Sequence, residues 1–141
     1  MSALLGLQKV DLFKGLDTAS LREIAGQCKW TRCTRNQTVM RRDSTDRDVY
    51  FVIAGMVRVA AAAGRGRRII FRDIPAGETF GEHSAIDGRR SFADVFAVRE
   101  SLLASMPPEA FRAILARHAP VRERLLRRLS GSVRELADRL L

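Results

Sequence analysis

No run of apolar residues in this chain approaches the length of a membrane span. The first ten residues have none of the layout of a secretory signal. Together these absences predict a soluble, cytoplasmic chain. Cysteine is scarce, with only Cys28 and Cys33, five residues apart. Two sulfurs cannot complete a structural zinc site, and the two histidines, His83 and His118, lie far away in sequence. The pair is expected to be reduced, partly buried thiols. Aromatics are few: Trp30 and Tyr50 join seven phenylalanines. There is no helix-turn-helix pattern and no basic–aromatic stacking pattern of the kind that holds nucleic acid. No nucleophile–base pair, metal cluster or Walker-type loop is present, so no catalytic residue, metal or cofactor is assigned and an enzyme is not expected.

What is present is enough for one domain. The chain has 141 residues, and 46% of them are hydrophobic. The formal net charge is +9, and 22 of the 25 basic residues are arginine. These charges are spread along the chain instead of forming a block. They read as a solvated surface that also attracts an anionic ligand.

The order of elements predicts a mainly β architecture flanked by helices. Asp17 is placed as the N-cap of a short helix whose Leu21, Ile24 and Ala25 share one face. From residue 29 the pattern changes to short strands with frequent turn signals, over 29–34, 37–41, 49–54, 56–63, 67–73, 92–98 and 102–106. Gly55 separates the third from the fourth, and residues 43–46 form a loop. Apolar strand residues, including Ile69 and Phe71 on one face, are expected in the core. Many short strands without long intervening helices predict a jelly-roll or barrel-like sandwich. Pro107-Pro108 stops the sheet. A helix over 109–116 turns Phe111, Ile114 and Leu115 inward, and a longer one over about 120–141 closes the chain. There Leu126, Leu129, Val133, Leu136 and Leu140 recur at three and four residues, a heptad seam. This seam either packs on the domain itself or pairs with a second copy. Glu123–Arg127 and Glu135–Arg139 are acid-before-base pairs at helical spacing.

One stretch, 80–95, has a chemistry of its own. It opens Phe80-Gly81-Glu82, passes through His83-Ser84-Ala85-Ile86 and breaks at Asp87-Gly88. It then carries Arg89 and Arg90 and ends Ser91-Phe92-Ala93-Asp94-Val95. A short helix after a glycine turn offers free N–H groups to an anion. Arginines nearby supply forked donors suited to phosphate. The carboxylate of Glu82 beside them accepts from a neutral hydroxyl. Phosphate and hydroxyl together suggest a sugar phosphate or nucleotide.

These residues resemble the phosphate-binding cassette of the cyclic nucleotide-binding domain, the ligand domain of catabolite-activator-type regulators, cAMP-dependent kinase regulatory subunits and cyclic nucleotide-gated channels. Phe80-Gly81-Glu82 and Ala93-Asp94-Val95 match the two ends of the family pattern, and the hairpin from Tyr50 to Val59 resembles its central strand pair. The resemblance covers nearly the whole chain, 1–141, as a single domain. It comprises an N-terminal helical segment over about 1–28, a β-roll (a double-stranded β-helix) over 29–106 and C-terminal helices over 107–141. It implies a regulatory domain for cAMP or cGMP, the sensor part of a transcription regulator. It also implies a homodimer through the last helix, with DNA contacted by a downstream domain lying beyond this chain. The alternative is a domain of this fold that no longer binds cyclic nucleotides and serves as a dimerisation or other-ligand module. The resemblance implies that Glu82 accepts from the ribose 2′-hydroxyl. Gly81, Ser84 and Ala85 would offer backbone N–H groups, with His83 lying between them. Arg90 or Ser91, with the N–H of Phe92 or Ala93, would complete the phosphate contacts. The departure is Ser91, which occupies the position of the family's phosphate-binding arginine. In the last helix, Leu136 and Ala137 stand where catabolite activators place base-contacting hydroxyls.

Overall fold

The computed structural model describes residues 2–141. Two four-stranded antiparallel sheets face each other, with helices gathered on one side. The strands are β1 (Lys29–Cys33), β2 (Thr38–Met40), β3 (Val49–Ala54), β4 (Met56–Ala62), β5 (Arg68–Pro75), β6 (Thr79–Phe80), β7 (Asp94–Ala97) and β8 (Ser101–Met106). The first sheet runs β1-β8-β3-β6 and the second β2-β7-β4-β5. Neighbours in space are mostly distant in sequence, as in the expected jelly-roll. The helices are α1 (Ala3–Gln8), α2 (Thr18–Gly26), α3 (Glu82–Asp87), α4 (Pro108–Arg117) and α5 (Ala119–Leu140), with a 3-10 turn at Asp11–Phe13.

Local chemistry accounts for the boundaries. The Asp17 side chain accepts from the Ser20 N–H at 2.9 Å and starts α2. Pro108 occupies the first turn of α4, where a missing N–H costs nothing. Gly55 joins β3 to β4 at φ +92°, and an added Cβ would lie 2.2 Å from Ser101 Oγ and 2.5 Å from the Glu100 carbonyl oxygen. Gly55→Ala is therefore expected to destabilise the fold by at least about 1–3 kcal/mol from backbone strain alone. Urea unfolding of the purified variant measures this, and an unchanged midpoint would contradict it.

There are two apolar cores. One lies between the sheets and contains Met40, Val52, Val57, Ile74, Phe80, Val95 and Leu103. The other lies between the outer face of the first sheet and the helices, where Phe13, Phe51 and Phe111 meet Leu7, Ile24, Val121 and Leu125. Leu115 packs against this second core, as expected. Both cysteines are free thiols, Cys33 buried and Cys28 partly so, and burial pushes the Cys28 thiol up to about 11.

The structure corrects two expectations and adds one strand. Ile69 is 53% exposed, not core, and Ile70 beside it is also exposed. A register shift between Val59 and Ala60 re-aims β5, and β7 pairs with β4 only as far as Ala60. The far end of the β4–β5 hairpin therefore extends past the strand that would cover it. Phe92 precedes β7 instead of starting it, and is 54% exposed. Residues 79–80 form a strand, β6, that is too short to show any alternation.

The seam on α5 divides. Val121 and Leu125 are buried against the helical core and Leu129 packs partly against it. Leu126, Val133, Leu136 and Leu140 are exposed. Only the first half of α5 packs on its own domain. Among the described residues, no helix is long and apolar enough to cross a membrane.

Candidate ligand site

The predicted 80–95 stretch forms one wall of a cavity of about 720 Å³. The second sheet and the latter half of α5 form the others. Its position begins at Gly81, which takes φ +84°. An added Cβ there would lie 2.6 Å from the Asp48 carbonyl oxygen and 3.5 Å from the Tyr50 ring. Glycine thus lets the chain turn tightly against the 43–48 loop and enter α3. That loop is pinned by its own carboxylate. Tyr50 donates its hydroxyl to Asp46 Oδ2 at 2.6 Å while its ring stacks on Phe80 at 4.8 Å. Burial, and then the Asp46 carboxylate, push Tyr50 ionisation well above its usual range. At the other end of α3, Gly88 takes φ +73° and closes the helix with an N–H to the Ser84 carbonyl. Arg112 of α4 donates to the Ala85 carbonyl at 2.9 Å and anchors α3 to the helical core.

Glu82 lines the cavity but is only 4% exposed. Its Oε1 lies 3.4 Å from His83 Nε2, and its Oε2 has no hydrogen-bond partner. Buried polar atoms are almost always paired, because burying one unpaired costs free energy. An orphaned carboxylate oxygen at a cavity wall marks a place where a donor is missing.

The remaining predicted site residues fall as follows. Gly81, His83, Ser84, Arg90, Ser91, Phe92 and Ala93 all line the cavity with Glu82. Ala85 is fully buried behind it, outside the lining. His83 is half-exposed and its ring lies 5.2 Å from that of Phe92, which in turn meets Phe71 edge-on at 5.9 Å. Arg90 is exposed, and so is Arg89, which also lines the cavity. Ser91 points inward. Its hydroxyl donates to the Ala93 carbonyl at 2.7 Å and accepts from the Ala93 N–H at 3.4 Å. The Ser91 side chain is therefore engaged within its own turn.

Of the opposite walls, sequence reasoning had placed only Leu136 correctly. Arg72 of β5 and Arg128 of α5 share the Glu78 carboxylate, with Arg128 also donating to the Thr79 carbonyl. Both arginines line the cavity. From α5 come Ser132, Glu135, Leu136 and Arg139, while Ala137 faces elsewhere. Their helical spacing put them on one stripe, but only the packing of Leu125 and Leu129 shows which way that stripe turns.

Comparisons with known proteins bear on the family and the fold. The family model described as the cyclic nucleotide-binding domain matches residues 30–118. The CRP-like cAMP-activated global transcriptional regulator of Mycobacterium tuberculosis is 24% identical over 134 residues, covering 95% of this chain and 60% of that protein. The chain thus spans about three-fifths of the length of that relative. The catabolite activator protein of Thermus thermophilus has a TM-score of 0.80 at 23% identity, covering 92% of this chain and 61% of that one. The regulatory subunit of a cAMP-independent protein kinase A from Trypanosoma cruzi, bound to guanosine, has a TM-score of 0.75 at 21% identity over 88% of this chain and 43% of its own. At these identities the structural likeness shows a shared fold.

Proposed function

This chain belongs to the cyclic nucleotide-binding domain family, a family of regulatory ligand-binding domains, and we propose that it binds a cyclic purine nucleotide in the cavity beside α3. The observation that carries the reading is the buried, unpartnered Oε2 of Glu82. A ribose 2′-hydroxyl is a neutral donor of the right kind to satisfy it. The first turn of α3 has N–H groups with no partner inside the helix, and Arg90 adds an exposed guanidinium at the same wall. A cavity of this size suits a nucleotide, since ligand pockets run to about 300–1,000 Å³.

On this reading the domain is a cytoplasmic sensor. Ligand binding is relayed through α5, whose exposed leucines and Val133 pair with a second copy to form a homodimer. The likeness to a CRP-like transcriptional regulator supports a transcriptional output, with DNA bound by another domain.

A second reading is favoured by Ser91. Its hydroxyl is engaged with Ala93, so position 91 itself offers no side-chain donor to a phosphate. A phosphate-free nucleoside would still satisfy Glu82, and the Trypanosoma cruzi structure holds such a ligand.

Calorimetric titration with cAMP, cGMP and the corresponding nucleosides separates the two. The first reading expects the cyclic nucleotides to bind more tightly than the nucleosides. It also expects Ser91→Arg to raise their affinity about tenfold or more through a charge-assisted contact. Equal binding of nucleoside and cyclic nucleotide would favour the second. No heat from any of them at millimolar concentration would remove both.

A further inference from the structure

We infer that His83 makes this cavity discriminate by charge: once protonated, it favours a ligand that carries a phosphate over the same ligand without one. The inference rests on the nucleotide or nucleoside reading of the cavity and names the residue that sets its preference. Histidine is the side chain that ordinarily gains or loses a proton between about pH 5 and 8. His83 is the one histidine of the lining, since His118 lies outside it, at the junction of α4 and α5.

Its position gives that proton a consequence. His83 follows Glu82 in the first turn of α3, and its side chain is 47% exposed at the cavity wall. Its Nε2 lies 3.4 Å from Glu82 Oε1, and its ring centroid is 5.2 Å from that of Phe92. Contact with Oε1 leaves Oε2, the orphaned oxygen, open to a ligand hydroxyl in either protonation state. Protonation therefore adds a cation to this wall without closing its acceptor.

The neighbouring charges set the sign. On α3 itself stand Glu82 and Asp87, and Asp87 accepts from the Arg89 N–H. Arg89 and Arg90 are exposed in the turn that follows. Across the cavity, Arg72 of β5 and Arg128 of α5 share Glu78, and Arg139 of α5 pairs with Glu135. Arg112 of α4 is turned to the Ala85 carbonyl, and Asp46 before β3 is taken by the Tyr50 hydroxyl. Arginines and carboxylates ordinarily keep their charge between about pH 6 and 8, so the imidazole is the variable charge here. Position 91 offers a phosphate no side-chain donor, which leaves more for a neighbouring cation to supply. A cyclic phosphodiester stays anionic throughout this range, whereas a nucleoside has no net charge. Acidification thus strengthens capture of the first and barely alters the second. By reciprocity, binding of the anion draws a proton onto the site.

The test is calorimetric titration of the full chain with cAMP, cGMP and their nucleosides at about pH 6 and about pH 8. Cyclic-nucleotide affinity is expected to be about threefold to fivefold higher at the lower pH, the scale of a solvent-screened charge pair. Nucleoside affinity should change by less than about twofold. Near neutral pH, heats in two buffers of different ionisation enthalpy should show proton uptake with the cyclic nucleotides. His83→Leu should abolish both signals. His83→Lys should keep the tighter binding at both pH values, and His118→Gln should behave as the parent. A cyclic-nucleotide affinity that is flat or falls with acid, a pH dependence that survives His83→Leu, or heat from the nucleosides alone overturns this inference and leaves the reading of the cavity standing. Absence of heat from all four ligands overturns both.

Discussion

Glu82→Ala is expected to lower cyclic-nucleotide affinity by about tenfold to a hundredfold while leaving the ligand-free protein no less stable. The first half follows from a hydrogen bond to a charged acceptor, worth about 1.5–3 kcal/mol. The second half is the sharper one. Glu82 is 4% exposed and its Oε2 has no partner. An unpaired buried polar group costs about 1–3 kcal/mol, so its removal relieves a cost. The void that alanine leaves opens into an existing cavity, and little packing is lost. Thermal melting without ligand should therefore give the parent Tm or a slightly higher one. Titration should show the affinity loss in the same preparation. A drop in Tm of many degrees would mean that Glu82 is structural. Unchanged affinity in a stable variant would mean that it does not touch the ligand.

Phe51→Ala should produce the largest loss of stability. Phe51 lies at the centre of β3 with no exposed surface. Its ring centroid is 4.9 Å from that of Phe13 and 6.4 Å from that of Phe111. It thus joins the 3-10 turn, the first sheet and α4. Truncating a buried phenylalanine costs about 3–5 kcal/mol through lost burial and the cavity left behind. Domains of this size have only about 5–15 kcal/mol in total. The urea midpoint should fall accordingly with an unchanged slope. A loss below about 1 kcal/mol would show that the two phenylalanines close over the gap.

These two residues differ in how far the sequence betrayed them. Phe51 sits in a β-branched and aromatic run next to a glycine, a pattern that marks a buried strand by itself. Glu82 was legible because Gly81 and Glu82 stand at the start of a recognisable stretch, with Ala93-Asp94-Val95 at its end. Most strands appeared within a residue or two of their predicted bounds, since period and turn chemistry are local signals. Failures came where a non-local event decided the outcome. Ile69 follows the alternation of a core strand, but a bulge in β5 at Phe71 and the early end of β7 leave it in solvent. The two-residue β6 exists only because β3 is there to pair with it. The Glu135–Arg139 pair looked like any surface pair until the cavity placed both residues in its lining.

The sequence alone determined the class of fold, the cassette with its glycine hinges and the amphipathic last helix. Each depends on residues close together along the chain, whose periodicity and backbone freedom act locally. Only tertiary structure decided that Glu82 keeps an unsatisfied oxygen, that Ser91 turns into its own loop, and that Arg72, Arg128, Glu135 and Arg139 complete the walls. Those outcomes depend on which groups meet across the fold. Hydrogen bonding and burial are properties of neighbours in space, and the chain order does not state them.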